Sequence, residues 1–183
     1  MRLAAITIST TVLAAAAGGT LSAQKTTEVH PGKKGSPHVR TAWTIDGANI
    51  SIEYGRPFLK GRPESTMMPP GQEWRTGADE ATTLKTDKPL KFGTLSVPAG
   101  TYTLYTVPGE SQWQLIVSKA TGQWGIPYPQ GQDLGRVPMK VGKTKAPVEQ
   151  LTISIDDTAA GGTLRIEWGT TSASVPFTVS AAS

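Results

Sequence analysis

An all-β fold, a single antiparallel β-sandwich of jelly-roll type with very little helix, is what this sequence predicts, on three observations. Short runs of β-branched and aromatic residues alternate with polar ones at a period of two. Clusters of Gly, Pro and Asp separate those runs at the spacing of sandwich or barrel strands, which gives roughly eight or nine strands. No stretch keeps apolar residues at i, i+3, i+4 and i+7, as an amphipathic helix requires.

The elements follow in chain order. Residues 1–23 read as a secretory signal: Arg2 gives a positive start, Leu3 to Ala17 an uncharged apolar run, and Ala23 a small residue before the cut. The run is broken by Thr7, Ser9, Thr10 and Thr11, so it is a poor membrane anchor. With no cysteine, lipid attachment at the first mature residue is excluded. The expected product is an exported protein, periplasmic or secreted, without stable membrane insertion after cleavage. Residues 24–36 bury almost nothing and carry Pro31, Gly32 and Gly35, which predicts a flexible leader before a domain over residues 37–183.

Within that domain Val39, Thr41, Trp43 and Ile45 alternate, Asp46-Gly47 supplies residues tolerant of positive φ, and Ile50, Ile52 and Tyr54 alternate again, a hairpin pattern. A helical turn is expected near Met67 to Trp74, where Pro69, Pro70 and Gly71 forbid anything longer. Strands are expected over Thr82 to Thr86, Leu90 to Val97 and Thr101 to Val107. Pro108-Gly109 fits the centre of a type II turn, and Trp113 to Ser118 returns antiparallel. Gly122 to Ala146 reads as a long connection holding at most one irregular strand. Leu151, Ile153 and Ile155 are separated by the Asp156-Asp157 and Gly161-Gly162 turn from Leu164, Ile166 and Trp168. Val175, Phe177 and Val179 close the series, with Pro176 placing that strand at an edge.

Composition excludes several function classes. The chain has no cysteine, so thiol redox chemistry is out and stability rests on packing rather than disulfides. Its 18 Lys and Arg against 14 Asp and Glu give a formal net charge of +4, with the cations interspersed among acids, which is no nucleic-acid footprint. Phosphate loops and dinucleotide fingerprints are absent. The two histidines, His30 in the leader and His38 at a strand edge, are too few for a histidine-built metal site, so neither metal nor cofactor is expected. Only His38 could serve a catalytic triad, and no Gly-x-Ser-x-Gly elbow presents a nucleophile.

What chemistry remains gathers on loops. Arg56, Lys60 and Arg62 lie close together beside Pro57 and Gly61, and Arg75 sits in a second loop with Asp79 and Glu80. Guanidinium groups hold carboxylates and phosphates through paired hydrogen bonds, so these cations could line a pocket for a small anionic ligand or glycan. The competing reading pairs them with Asp79, Glu80 and Glu53 and with loop carbonyls. Adjacent Asp79 and Glu80 would point to opposite faces of a strand, which makes them a poor acid–base pair. Alternation assigns Trp43, Trp113 and Trp168 to the core, leaving Trp74, Trp124 and Tyr128 in loops as a stacking surface or a lid.

The string Trp74-Arg75-Thr76-Gly77-Ala78-Asp79-Glu80-Ala81-Thr82 carries a family resemblance. Ser36-Pro37 with Arg40 precedes it, then Tyr54-Gly55-Arg56-Pro57 and Lys60-Gly61-Arg62. Ala99-Gly100-Thr101-Tyr102-Thr103-Leu104, Pro108-Gly109-Glu110 and Gln123-Trp124-Gly125 follow. In this order they resemble the bacterial exported family called domain of unknown function 2911, over nearly all of residues 36–179. The resemblance implies a β-sandwich-like exported domain and brings no activity with it. The function expected is therefore a non-catalytic binding or envelope-interaction domain, with Arg56, Lys60, Arg62, Trp74, Arg75, Asp79, Glu80 and Trp124 as candidate ligand contacts. The alternatives are a carboxylate-dependent hydrolase of carbohydrate or peptide bonds using Glu80, and a structural assembly unit pairing through the Pro176 edge.

Overall fold

The hairpin at the start of the domain shows how local sequence sets the geometry. Strand β2 (His38–Ile45) pairs antiparallel with β3 (Ala48–Gly55), Ile45 opposite Ala48. The two residues between them, Asp46 and Gly47, have φ of 46° and 73°, the left-handed pair that a tight hairpin with the native strand twist demands. Val39, Thr41, Trp43 and Ile45 point inward together with Ile50, Ile52 and Tyr54, as the alternation predicts.

The computed structural model describes residues 24–33 and 35–180. The expected signal peptide, residues 1–23, lies outside the described residues, as does Lys34. The remaining elements are β1 (Lys25–His30), a single helical turn α1 (Glu64–Met67), β4 (Ala78–Thr86), β5 (Leu90–Phe92), β6 (Leu95–Val97), β7 (Gly100–Val107), β8 (Gln112–Ser118), β9 (Asp133–Thr158) and β10 (Gly161–Val179). The fold is all-β. The ten strands of the described residues form one antiparallel sheet in the order β1-β2-β3-β4-β7-β8-β9-β10-β5-β6, a continuous ladder where the sequence suggests two sheets of a sandwich.

One apolar cluster runs through the sheet and includes Trp43, Leu84, Leu104, Trp113, Leu115, Ile153, Ile166 and Trp168. The three tryptophans assigned to the core are 3%, 3% and 1% exposed, so the period-two reading holds for them. Polar links fasten the sheet's distant parts: the Ile153 amide donates to the Tyr54 hydroxyl at 2.8 Å, and Trp168 Nε1 donates to the Glu149 carbonyl at 3.0 Å.

Five expectations are corrected. Residues 25–30 are not a loose leader but strand β1, laddered along β2 from Lys25 opposite Ala42 to His30 opposite His38. Backbone bonds hold it, with one hydroxyl pair between Thr26 and Thr41 at 3.0 Å, and such a ladder needs no apolar residue. The stretch from Asp133 to Ala146 belongs to β9, where Val137 and Met139 alternate inward between exposed Arg136, Pro138 and Lys140. The two C-terminal runs are one strand, and β10 is internal: it pairs with β9 as far as Ser174 and with β5 at Thr178 and Val179. Pro176 falls between these two ladders, where its missing N–H removes no bond from either, and the sheet's edges are β1 and β6. The helical turn starts at Glu64, just after Pro63, upstream of the expected segment. Gly109 does not take the positive φ of a type II turn; a Cβ there would lie 2.3 Å from the Gln112 carbonyl oxygen, so close approach of backbone explains the glycine.

Candidate functional site

Trp74 to Asp79 crosses the end of the sheet in a conformation that must be held in place. Thr76 and Asp79 have φ of 56° and 61°, unfavourable for a β-branched residue and uncommon for any residue with a Cβ. Buried hydroxyls hold the segment. Thr76 Oγ1 and Thr106 Oγ1 are 3.0 Å apart, Thr82 Oγ1 donates to the Thr76 carbonyl at 2.9 Å, and Trp74 exchanges both backbone bonds with Thr106. Strain of this kind persists only where the surroundings over-determine it, and such places concentrate at functional sites.

The segment forms one wall of a cleft of about 590 Å³, lined among others by Lys33, Arg62, Trp74, Arg75, Asp79 and Trp124. Trp74 stacks on Trp168 at 6.1 Å between centroids with the planes 11° apart, and meets Trp113 edge-on at 6.3 Å. This fixes one aromatic face of the cleft. Trp124 forms another and is 37% exposed. The Lys33 Nζ lies 4.5 Å from its ring centroid and the Arg75 guanidinium carbon 5.6 Å. Both cations are drawn to the negative face of the indole, which concentrates positive charge at one wall.

Arg75 Nη1 donates to the carbonyls of Asp79 and Trp124 at 2.6 and 3.1 Å. Burial lowers its pKa from the ordinary arginine value, and the Asp79 charge works against that shift; the group stays a cation at any neutral pH. Asp79 Oδ2 accepts the Lys33 amide at 2.7 Å, tying the loop after β1 to the cleft.

The other expected contacts divide. Arg62 lines the cleft while its Nε donates to the Leu59 carbonyl at 2.9 Å. Arg56 is turned to β9, donating from Nε to the Leu151 carbonyl and from Nη2 to Thr152 Oγ1, each at 2.9 Å. The Lys60 amide donates to Glu149 Oε1 at 2.7 Å, and Lys60 does not line the cleft. Backbone carbonyls, of loops at Leu59 and Trp124 and of strands at Asp79 and Leu151, thus take a large share of the guanidinium donors. Tyr128 packs edge-on against Tyr105, and its hydroxyl bonds to Asp133 beside Arg136, so it is structural.

Glu80 points the other way from Asp79 and meets both histidines, a grouping that sequence reasoning missed. A register shift near the end of β1 sets His30 opposite His38, with the rings stacked at 4.6 Å and 9° apart. Glu80 Oε2 lies 3.5 Å from His30 Nε2 and 3.5 Å from His38 Nδ1. Behind them Glu53 Oε1 stands 3.5 Å from His38 Nε2, and Arg40 Nε holds Glu53 by its Oε2 at 2.8 Å. His38 is 2% exposed; burial pushes its pKa below the ordinary histidine value, against the raising influence of Glu80. The available signal was a histidine on each side of a Pro-Gly turn, but the pairing of β1 was needed to read it.

The family described as "Protein of unknown function (DUF2911)" matches residues 36–177. The chain belongs to this family. No curated protein and no solved structure matches it. The matched part of this DUF2911 chain contains Arg62, Trp74, Arg75, Asp79, Glu80 and Trp124, whereas His30 and Lys33 lie ahead of it.

Proposed function

We propose that this DUF2911 chain is an exported, non-catalytic binding domain, periplasmic or secreted, whose cleft takes a small anionic ligand such as a glycan bearing carboxylates. The observation that carries this reading is the cleft of about 590 Å³ that combines indole faces with Lys33, Arg62 and Arg75. Indole faces suit the C–H surface of a sugar ring, and the cations suit its carboxylates. Glu80 turns toward the histidines instead of lining the cleft, which favours binding over a hydrolase built on that carboxylate. We also read the bent ten-stranded sheet as closing into a sandwich-like body, supported by the bond from Ile153 of β9 to Tyr54 of β3.

Calorimetric titration with a uronic-acid oligosaccharide and its neutral counterpart tests the cleft. The acidic sugar is expected to bind at least ~10-fold tighter, and Trp124→Ala and Lys33→Ala to weaken it by about 10-fold each, a loss of ~1.4 kcal/mol. Melting should be unchanged in both variants, since neither side chain belongs to the core. A panel of anionic glycans and metabolites none of which binds at millimolar concentration would overturn the reading.

A further inference from the structure

The end of β1 carries a second constellation, separate from the cleft and independent of any ligand there. His30, His38 and Glu80 each offer one ligand atom, and the three atoms lie within 4.8 Å of one another. Two of the groups are unsatisfied where they face each other: His38 Nδ1 and Glu80 Oε2 are both buried and neither makes a hydrogen bond. Buried polar atoms without partners are rare in folded proteins, and an ion that accepts both lone pairs removes the penalty.

We propose that His30 Nε2, His38 Nδ1 and Glu80 Oε2 bind one first-row divalent metal ion, with zinc as the fitting representative. Two neutral imidazoles and a carboxylate are the donor set such borderline ions prefer. Zinc bonds of ~2.0–2.2 Å in a tetrahedron imply a ligand–ligand edge of about 3.4 Å. The two nitrogen-to-oxygen edges are each 3.5 Å, so the ion requires chiefly that the two ring nitrogens draw together.

The surrounding groups fit the same assignment. With Nδ1 of His38 on the metal, its proton sits on Nε2 and faces Glu53 Oε1, the carboxylate–histidine–metal arrangement that fixes the tautomer and strengthens the donor. Arg40 in turn holds Glu53 from the other side. His30 must carry its proton on Nδ1, which gives up the bond now donated to that atom by the Gly32 amide at 3.1 Å. Side chains of His30 and Glu80 are 37% and 46% exposed, so solvent reaches the cluster and supplies a water as fourth ligand.

The test uses untagged full-length protein, stripped with a chelator and titrated with Zn²⁺ against a chromophoric competitor, with Co²⁺ as a spectroscopic probe. One ion per chain, a visible cobalt absorption of low-symmetry coordination and a zinc-dependent rise in melting temperature are expected. His30→Ala, whose ring is partly exposed, should keep the metal-free melting temperature while weakening zinc at least ~100-fold. Glu80→Gln should weaken it similarly, and Glu53→Gln by roughly 10-fold. Sugar binding in the cleft should survive His30→Ala, so the two readings fail separately. Absence of zinc binding at micromolar concentration, or equal binding by His30→Ala, would show a metal-free histidine–carboxylate cluster and overturn the proposal.

Discussion

Glu64 shows how much one surface carboxylate can organise. From the helical turn its Oε1 accepts the Thr170 amide at 2.6 Å and the Thr170 hydroxyl at 3.0 Å, while Oε2 accepts the Thr171 hydroxyl at 2.6 Å. Partial burial alone would raise its pKa, but these hydrogen bonds, with Thr171 foremost, outweigh it and hold the group below the ordinary 4.5. A carboxyl whose folded pKa is depressed stabilises the fold above its unfolded pKa and loses that contribution as pH falls through the folded value. Glu64→Gln is therefore expected to lower stability by about 1 kcal/mol at pH 7. Urea titrations at pH 7 and pH 3 should show the gap between the two proteins closing in acid; a gap of the same size at both pH values would refute the assignment. At this scale the cleft was partly legible: Arg62, Trp74, Arg75, Asp79 and Trp124 stand in loop sequence that mixes cations with indoles, and all of them line it. Arg56 and Lys60 were misplaced because composition cannot tell a guanidinium aimed at a ligand from one bonded to Leu151, nor a lysine side chain from the amide that serves Glu149.

Among the elements, β1 is the least secured. Lys25 to Val29 are exposed, and the strand has only β2 as neighbour. Native-state hydrogen exchange should find the β1 amides bonded to β2 exchanging on the order of 100-fold faster than those of β3, which is laddered on both sides. Equal protection would mean that β1 opens only with the whole sheet. The same contrast explains what the sequence reveals of the strands. β2 and β3 bury chiefly one face and betray it by alternation, whereas β7 and β8 are buried on both faces over Tyr102 to Thr106 and Leu115 to Ser118 and betray themselves by their β-branched and aromatic content. β1 buries none, so it looks like a linker. The first half of β9 hides behind its outward Arg136, Pro138 and Lys140, which drown the signal of Val137 and Met139. The His30–His38 contact was illegible for the same reason, since it exists only once β1 pairs.

At the scale of the whole molecule, a single apolar cluster joins residues from Val39 to Phe177, so most of the sheet shares one core. Unfolding in guanidinium is expected to be one cooperative step, with tryptophan fluorescence and far-ultraviolet circular dichroism giving coincident midpoints. Midpoints that separate would indicate a β9–β10 unit melting by itself. The position of β10 sets a further condition. The β5–β6 hairpin lies far ahead of its partner in the chain, for the strand that receives Leu90 and Lys91 is the last one of the described residues. The sheet consequently cannot be sealed before Val179 is free to pair, and until then the edge of β5 that faces β10 stays open.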